Sequence, residues 1–209
     1  MINLIKDMTK IAKKHKFALF VITIVFAGIV YYIHLITLPY QTLKNFITAV
    51  ENENVKDIVY LAVAEERKFC GVTEQSVKAI LDATLGRWRP FKAVRIEKVP
   101  WERVPVYKEL GWHRWLVVWG DAVSGKPIPF HSSGRGYPAY GITSPQLFTE
   151  IDVRPTDEGW RVLVTGFLIQ LTYGVYGLSE YLSILHRSGI KGEVNVLTKP
   201  GEFRPLPKP

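Results

Sequence analysis

Cysteine is nearly missing from this chain: Cys70 is the only one in 209 residues. An internal disulfide is therefore excluded, and with it any disulfide-stapled scaffold. The expected role of Cys70 is a small buried apolar side chain, with an intermolecular bridge as the alternative. Histidine is scarce too, and His113, His131 and His186 lack metal-ligand spacing, so no metal site is expected. No G-x-S-x-G nucleophile turn occurs. "SSGRGYPAYG" has glycines but neither the strand–helix context nor the lysine of a phosphate loop. No cofactor is expected.

The most informative absence is of charge. Residues 17–38 contain no Asp, Glu, Lys or Arg. As a helix rising about 1.5 Å per residue, the run reaches roughly 33 Å, enough for a hydrocarbon core of about 30 Å. Tyr31, Tyr32 and His34 suit the far interface. A removable signal has an apolar core of about 7–15 residues and a small-x-small exit. Here the run is longer and leaves through the bulky "YYIHLITLPY". Cys70, in "RKFCG", also lies too far along, in the wrong setting, for lipidation. The expectation is a permanent transmembrane helix over 17–38 that contacts the lipid bilayer.

Charge around the span orients it. Residues 1–16 carry Lys6, Lys10, Lys13, Lys14 and Lys16 against Asp7, and beyond the span Lys44 alone is basic before Glu51. The positive-inside rule then predicts a cytoplasmic stub over 1–16, in a cell (inner) membrane, with residues 39–209 on the extracytoplasmic, periplasmic side. Half of the formal net charge of +8 is thereby a topology signal. No basic cluster with interleaved stacking aromatics occurs outside the stub, so no nucleic acid is expected as a partner.

The outer part reads as α+β. In "QTLKNFITAVEN", Leu43, Phe46, Ile47 and Val50 share one helical face. A second helix starts from Asn54 as N-cap, with Val55, Ile58, Val59 and Ala62 as its stripe. A third opens at Thr73, carries Val77, Ile80, Leu81 and Leu85, and stops at Gly86. Strands are predicted at 91–99, 112–120 and 147–155. The last alternates a dry face (Leu147, Thr149, Ile151, Val153) with a wet one (Phe148, Glu150, Asp152, Arg154). A turn at "TDEG" makes a hairpin into "WRVLVTGFLIQLTY" (160–173), which is apolar on both faces and predicts a central, doubly covered strand.

The segment 124–145 is dense in Gly, Pro and Ser, which suits a lid or docking loop, or a strand hairpin with a long tip. "LSEYLSILHRSG" predicts a final helix closed by Gly189, and residues 191–209 an extended Pro-rich tail. The outer domain is therefore expected over 39–190.

This order resembles the nuclear transport factor 2-like, or cystatin-like, superfamily, in which helices pack into a curved antiparallel sheet. The resemblance rests on "LKNFITAVENENVKDIVYLA", the helix from Thr73 to Leu85, and "FTEIDVRPTDEGWRVLVTG", together spanning roughly 40–172. It implies three helices on a sheet of about four strands. The superfamily includes ketosteroid isomerase, dehydratases, non-catalytic binding modules and periplasmic domains of single-pass secretion-channel subunits, so function must be argued from the site.

An isomerase-like site would need a carboxylate base in an apolar cone facing a tyrosine. The nearest pair is Tyr60 with Asp121; the other acids read as solvated. The favoured expectation is a non-catalytic accessory subunit docking on a larger membrane protein complex. The alternative is a binder of, or isomerase- or dehydratase-like enzyme on, a small apolar molecule. Phe130, Tyr137, Tyr140, Lys199 and Arg204 are the candidate partner-binding residues.

Overall fold

The computed structural model describes residues 2–130, 146–178, 180–194 and 202–208, with side chains described from Phe20 onward except at His34 and Leu35. The chain divides into two compact units, up to Pro39 and from Tyr40 onward.

Helix α1 (Ile2–Glu51) runs through Pro39. It contains one stretch near the N-terminus long and apolar enough to cross a membrane. Phe20, Ile22, Ile24, Phe26, Ile29, Tyr31, Tyr32 and Ile36 are all more than half exposed, and no polar face alternates with them.

In the second unit, Leu43, Phe46, Ile47 and Val50 are buried, as the spacing predicts. Helix α2 (Val55–Leu61) is capped by Asn54, whose side chain accepts the Asp57 N–H at 3.3 Å. Helix α3 (Glu74–Ala83) starts with a reciprocal Thr73–Ser76 capping box. It ends before Gly86, which lies within a 3-10 turn, Leu85–Trp88.

Four strands form an antiparallel meander: β1 (Phe91–Lys98), β2 (His113–Asp121), β3 (Phe148–Thr156) and β4 (Gly159–Val162). Val153 pairs with Val162 and Thr156 with Gly159, which places the hairpin where the turn chemistry predicts it. A short helix absent from the sequence expectations, α4 (Pro105–Leu110), joins β1 to β2. It has Pro105 at its first turn, where a missing N–H costs nothing, and Gly111 at φ +66° after its end.

Two expectations are corrected. Residues 164–176 are not strand but helix α5 (Val164–Tyr176). Val164, Phe167, Leu168, Leu171 and Val175 are buried at helical spacing. A run apolar on every side suits a buried helix as well as a central strand, and only tertiary packing chooses. The second correction concerns the polar face of β3. Asp152 and Arg154 are buried, because α4 and Trp112 cover that side and opposite charges meet there.

Helix α6 (Tyr181–Arg187) is followed by Gly189 at φ +90°. Within the predicted tail, β5 (Gly192–Val194) and β6 (Phe203–Pro205) pair antiparallel, with Val194 buried. The ends of the 124–145 segment are also held: Pro129 bridges Gln146, and Ile128 is buried.

The core lies between the sheet and α1, α2, α3 and α5. Phe46 meets Phe167 edge-on at 5.1 Å, and Trp119 packs on Phe167 at 5.9 Å and on Phe91 at 6.3 Å. Trp119, Phe46 and Phe167 are wholly buried; each contributes about 2–3 kcal/mol through removal of apolar surface from water. The Trp119 indole N–H donates to the Thr149 hydroxyl at 3.0 Å, so the ring leaves no orphan donor.

Candidate functional site

Tyr60 stands at the rim of a cleft of about 390 Å³ between the last turns of α1 and helix α2. Asn45, Thr48, Ala49 and Asn52 form one wall, and Asn54, Asp57, Tyr60 and Leu61 the other. The spacing 45, 48, 49, 52 is one face of a helix, and 57, 60, 61 is another. A tight reversal joins them: the Asn54 N–H donates to the Ala49 carbonyl at 2.8 Å, and Glu53 takes a left-handed φ of 52°. Arg89 holds Glu53 there, donating to its carboxylate and to that of Asp82.

The Tyr60 side chain is exposed, and the Arg161 guanidinium lies 5.1 Å from its ring centre. Asp121, its expected partner, ends β2 opposite Phe91 and does not line this cleft. Its carboxylate accepts the Ser124 and Val123 N–H groups at 2.5 and 3.1 Å. Those bonds, the Ser124 backbone first, hold its pKa below the usual range. Asp121 is thus ionised and occupied in closing a turn. The volume between helices and sheet, where the pair would need to converge, is filled by Phe46, Trp119 and Phe167.

Phe130 stacks on Phe148 and meets Tyr173 edge-on, both at 6.0 Å, beside a hollow of about 210 Å³ also lined by Glu150 and Gln170. Arg204 is exposed on β6, and its guanidinium lies 3.9 Å from Glu193 on β5. Tyr137, Tyr140 and Lys199 lie outside the described residues.

Two buried charged centres escape sequence inspection. Glu66, in a π-helical turn (Glu66–Cys70), is wholly buried. Its carboxylate accepts the Val164 and Thr165 N–H groups at 2.8 Å each, and the Thr165 hydroxyl, so it caps α5 from a distant part of the chain. Burial outweighs these bonds and pushes its pKa up to about 7. The second centre joins β2, β3 and α4. Arg114 donates to both Asp152 oxygens at 2.7 and 2.9 Å and pairs with Glu150 at 2.8 Å. The Tyr107 hydroxyl donates to Asp152 at 2.9 Å, and burial together with the Asp152 charge raises the phenol far above its ordinary range.

His113 lies among Trp101, Trp115 and Trp160 at 5.3–5.6 Å. Burial first, and Lys98 second, lower its pKa to about 4. Cys70 is buried, and burial pushes its thiol up to about 12, so it is a core side chain with little thiolate character. Among the described residues, no three His, Cys, Asp or Glu side chains gather as a metal site would require.

The cleft residues were legible only as a local excess of asparagine, three between positions 45 and 54. Comparison with known proteins gives no identification: no family model, no curated protein and no solved structure matches this chain.

Proposed function

We propose that the chain is a single-pass membrane-anchored module, N-terminus in the cytoplasm, whose outer domain serves as a non-catalytic subunit of a larger membrane protein complex. The observation that carries this reading is the stretch from Phe20 to Ile36, where large apolar side chains stand exposed on all sides of α1. Such a surface in water would cost about 25 cal/mol for each Å². A bilayer removes that cost, and the lysines before it supply the orientation.

Three features support a contact role over catalysis. The interior is filled by aromatic side chains, Asp121 is committed to a turn, and the buried carboxylates Glu66 and Asp152 are committed to a helix terminus and an arginine. Helices α1, α2, α3 and α5 sharing one core with a four-stranded meander support a domain of nuclear transport factor 2-like layout, a superfamily that includes non-catalytic modules. Arg204 on β6 and Phe130 beside the 131–145 segment are the docking residues this reading retains.

The test has two arms. Protease outside spheroplasts should digest the region beyond residue 40; protection of that region overturns the outward-facing anchor. Crosslinking in intact membranes should join the outer domain reproducibly to one membrane protein, more weakly for Arg204→Glu. A chain that remains monomeric and uncrosslinked overturns the subunit role.

A further inference from the structure

We propose that the cleft between α1 and α2 binds a neutral carbohydrate. Its volume of about 390 Å³ falls within the range of roughly 300–1,000 Å³ for small-molecule sites. Its chemistry is what selects the ligand class.

The walls offer the side-chain amide of Asn52, the Thr48 hydroxyl and the Tyr60 phenol, beside the amides of Asn45, whose oxygen also accepts from Gln41 at 2.9 Å, and Asn54, which is engaged with Asp57. An amide presents a donor and an acceptor on one planar group, which matches the alternating needs of neighbouring sugar hydroxyls. Asp57 is the only charged lining residue, and the Asn54 amide already donates to one of its oxygens at 2.6 Å. Among the described residues no cation lines the cleft to hold a phosphate or carboxylate, the Arg161 guanidinium lying against the Tyr60 ring at its rim. A second acid that would favour a polyamine is absent from the lining too. Ala49 and Leu61, both buried, give a small apolar floor, and the Tyr60 ring gives an apolar face for sugar C–H groups. Arg161 fixes that ring from one side.

These polar groups do little for the fold. Among the described residues, the side chains of Thr48 and Asn52 and the Tyr60 hydroxyl have no hydrogen-bond partner. Asn45 and Thr48 occupy exposed helical positions, where each is weaker than Ala, Lys or Glu by several tenths of a kcal/mol. Asn54 is the exception, because it also caps α2. Glu53, held left-handed by the reversal and tied by Arg89, fixes the angle between the two walls.

The experiment uses the full chain in lipid nanodiscs, since sugar-headed detergents would compete. Tri-N-acetylchitotriose and maltotriose, both neutral, are the probes, read by saturation-transfer difference NMR. At least one should show saturable transfer to its ring protons at millimolar concentration. Tyr60→Ala and Asn52→Ala, both at exposed positions, should each weaken that binding about tenfold or more while leaving the thermal melt unchanged. No transfer to either sugar overturns the proposal, as does transfer undiminished in both variants. Inorganic phosphate or trilysine binding that is lost in the same variants overturns the neutral class.

Discussion

Glu66 is buried at the start of α5, where its two oxygens meet the N–H groups of Val164 and Thr165. In the unfolded chain it ionises near 4.5, while in the folded domain burial holds it protonated up to about 7. Between those values the folded state binds a proton that the unfolded state has released, so stability falls as pH rises. At about 1.4 kcal/mol per pH unit, the loss across that window is roughly 3 kcal/mol. His113 acts in the opposite sense. Its pKa is lowered from 6.5 to about 4, so its contribution is present above 6.5 and is lost as pH falls toward 4. The two slopes oppose each other between about 4.5 and 6.5, and the wild-type profile should be shallow there. Glu66→Gln removes one of them. Thermal melts of the full chain, followed by tryptophan fluorescence between pH 5 and 8, should show the variant gaining stability as pH rises to 6.5. The wild-type advantage over Glu66→Gln should shrink by about 2–3 kcal/mol from pH 5 to 8. Glu66→Ala, which orphans two buried N–H groups, should cost about 2–5 kcal/mol. A difference between wild type and Glu66→Gln that stays constant with pH would refute the burial argument.

Gly71→Ala should abolish a cooperative melt, because Gly71 has φ +81° and a Cβ there would sit 2.1 Å from the Gly189 carbonyl oxygen. Gly159→Ala, at φ +93° with no atom closer than 3.7 Å, should cost only about 1–2 kcal/mol in the same measurement. Tyr107→Phe removes two hydrogen bonds, the one it donates to Asp152 and the one it accepts from Arg114, and should cost about 1–3 kcal/mol by denaturant titration. Asp152→Ala takes two hydrogen bonds from the mostly buried Arg114 guanidinium and one from Tyr107 while leaving Arg114 its pair with Glu150, and should cost about 2–4 kcal/mol. A soluble fragment over 40–209 should melt cooperatively, whereas one ending at residue 190 should melt lower, having lost Val194 from the core and the β5–β6 pairing.

Sequence alone determined those features whose cause is local. The uncharged run at 17–38 needs no partner to be legible, since length and the absence of charge are properties of the chain itself. The caps at Asn54 and Thr73, the stripe of Leu43, Phe46, Ile47 and Val50, and the turn between β3 and β4 are likewise set within a few residues. Tertiary structure decided wherever the deciding partner is distant along the chain. Residues 164–176 are apolar on every face, so periodicity could not separate helix from strand until Phe46 and Trp119 were packed against Phe167. Asp152 and Arg154 alternate as a solvated face would, and only α4 and Trp112 show that side to be covered. Glu66 reads as an ordinary helix acid beside Arg67 and Lys68. Its role as the cap of α5 exists only because folding brings Val164 and Thr165 to it and water is excluded from all three.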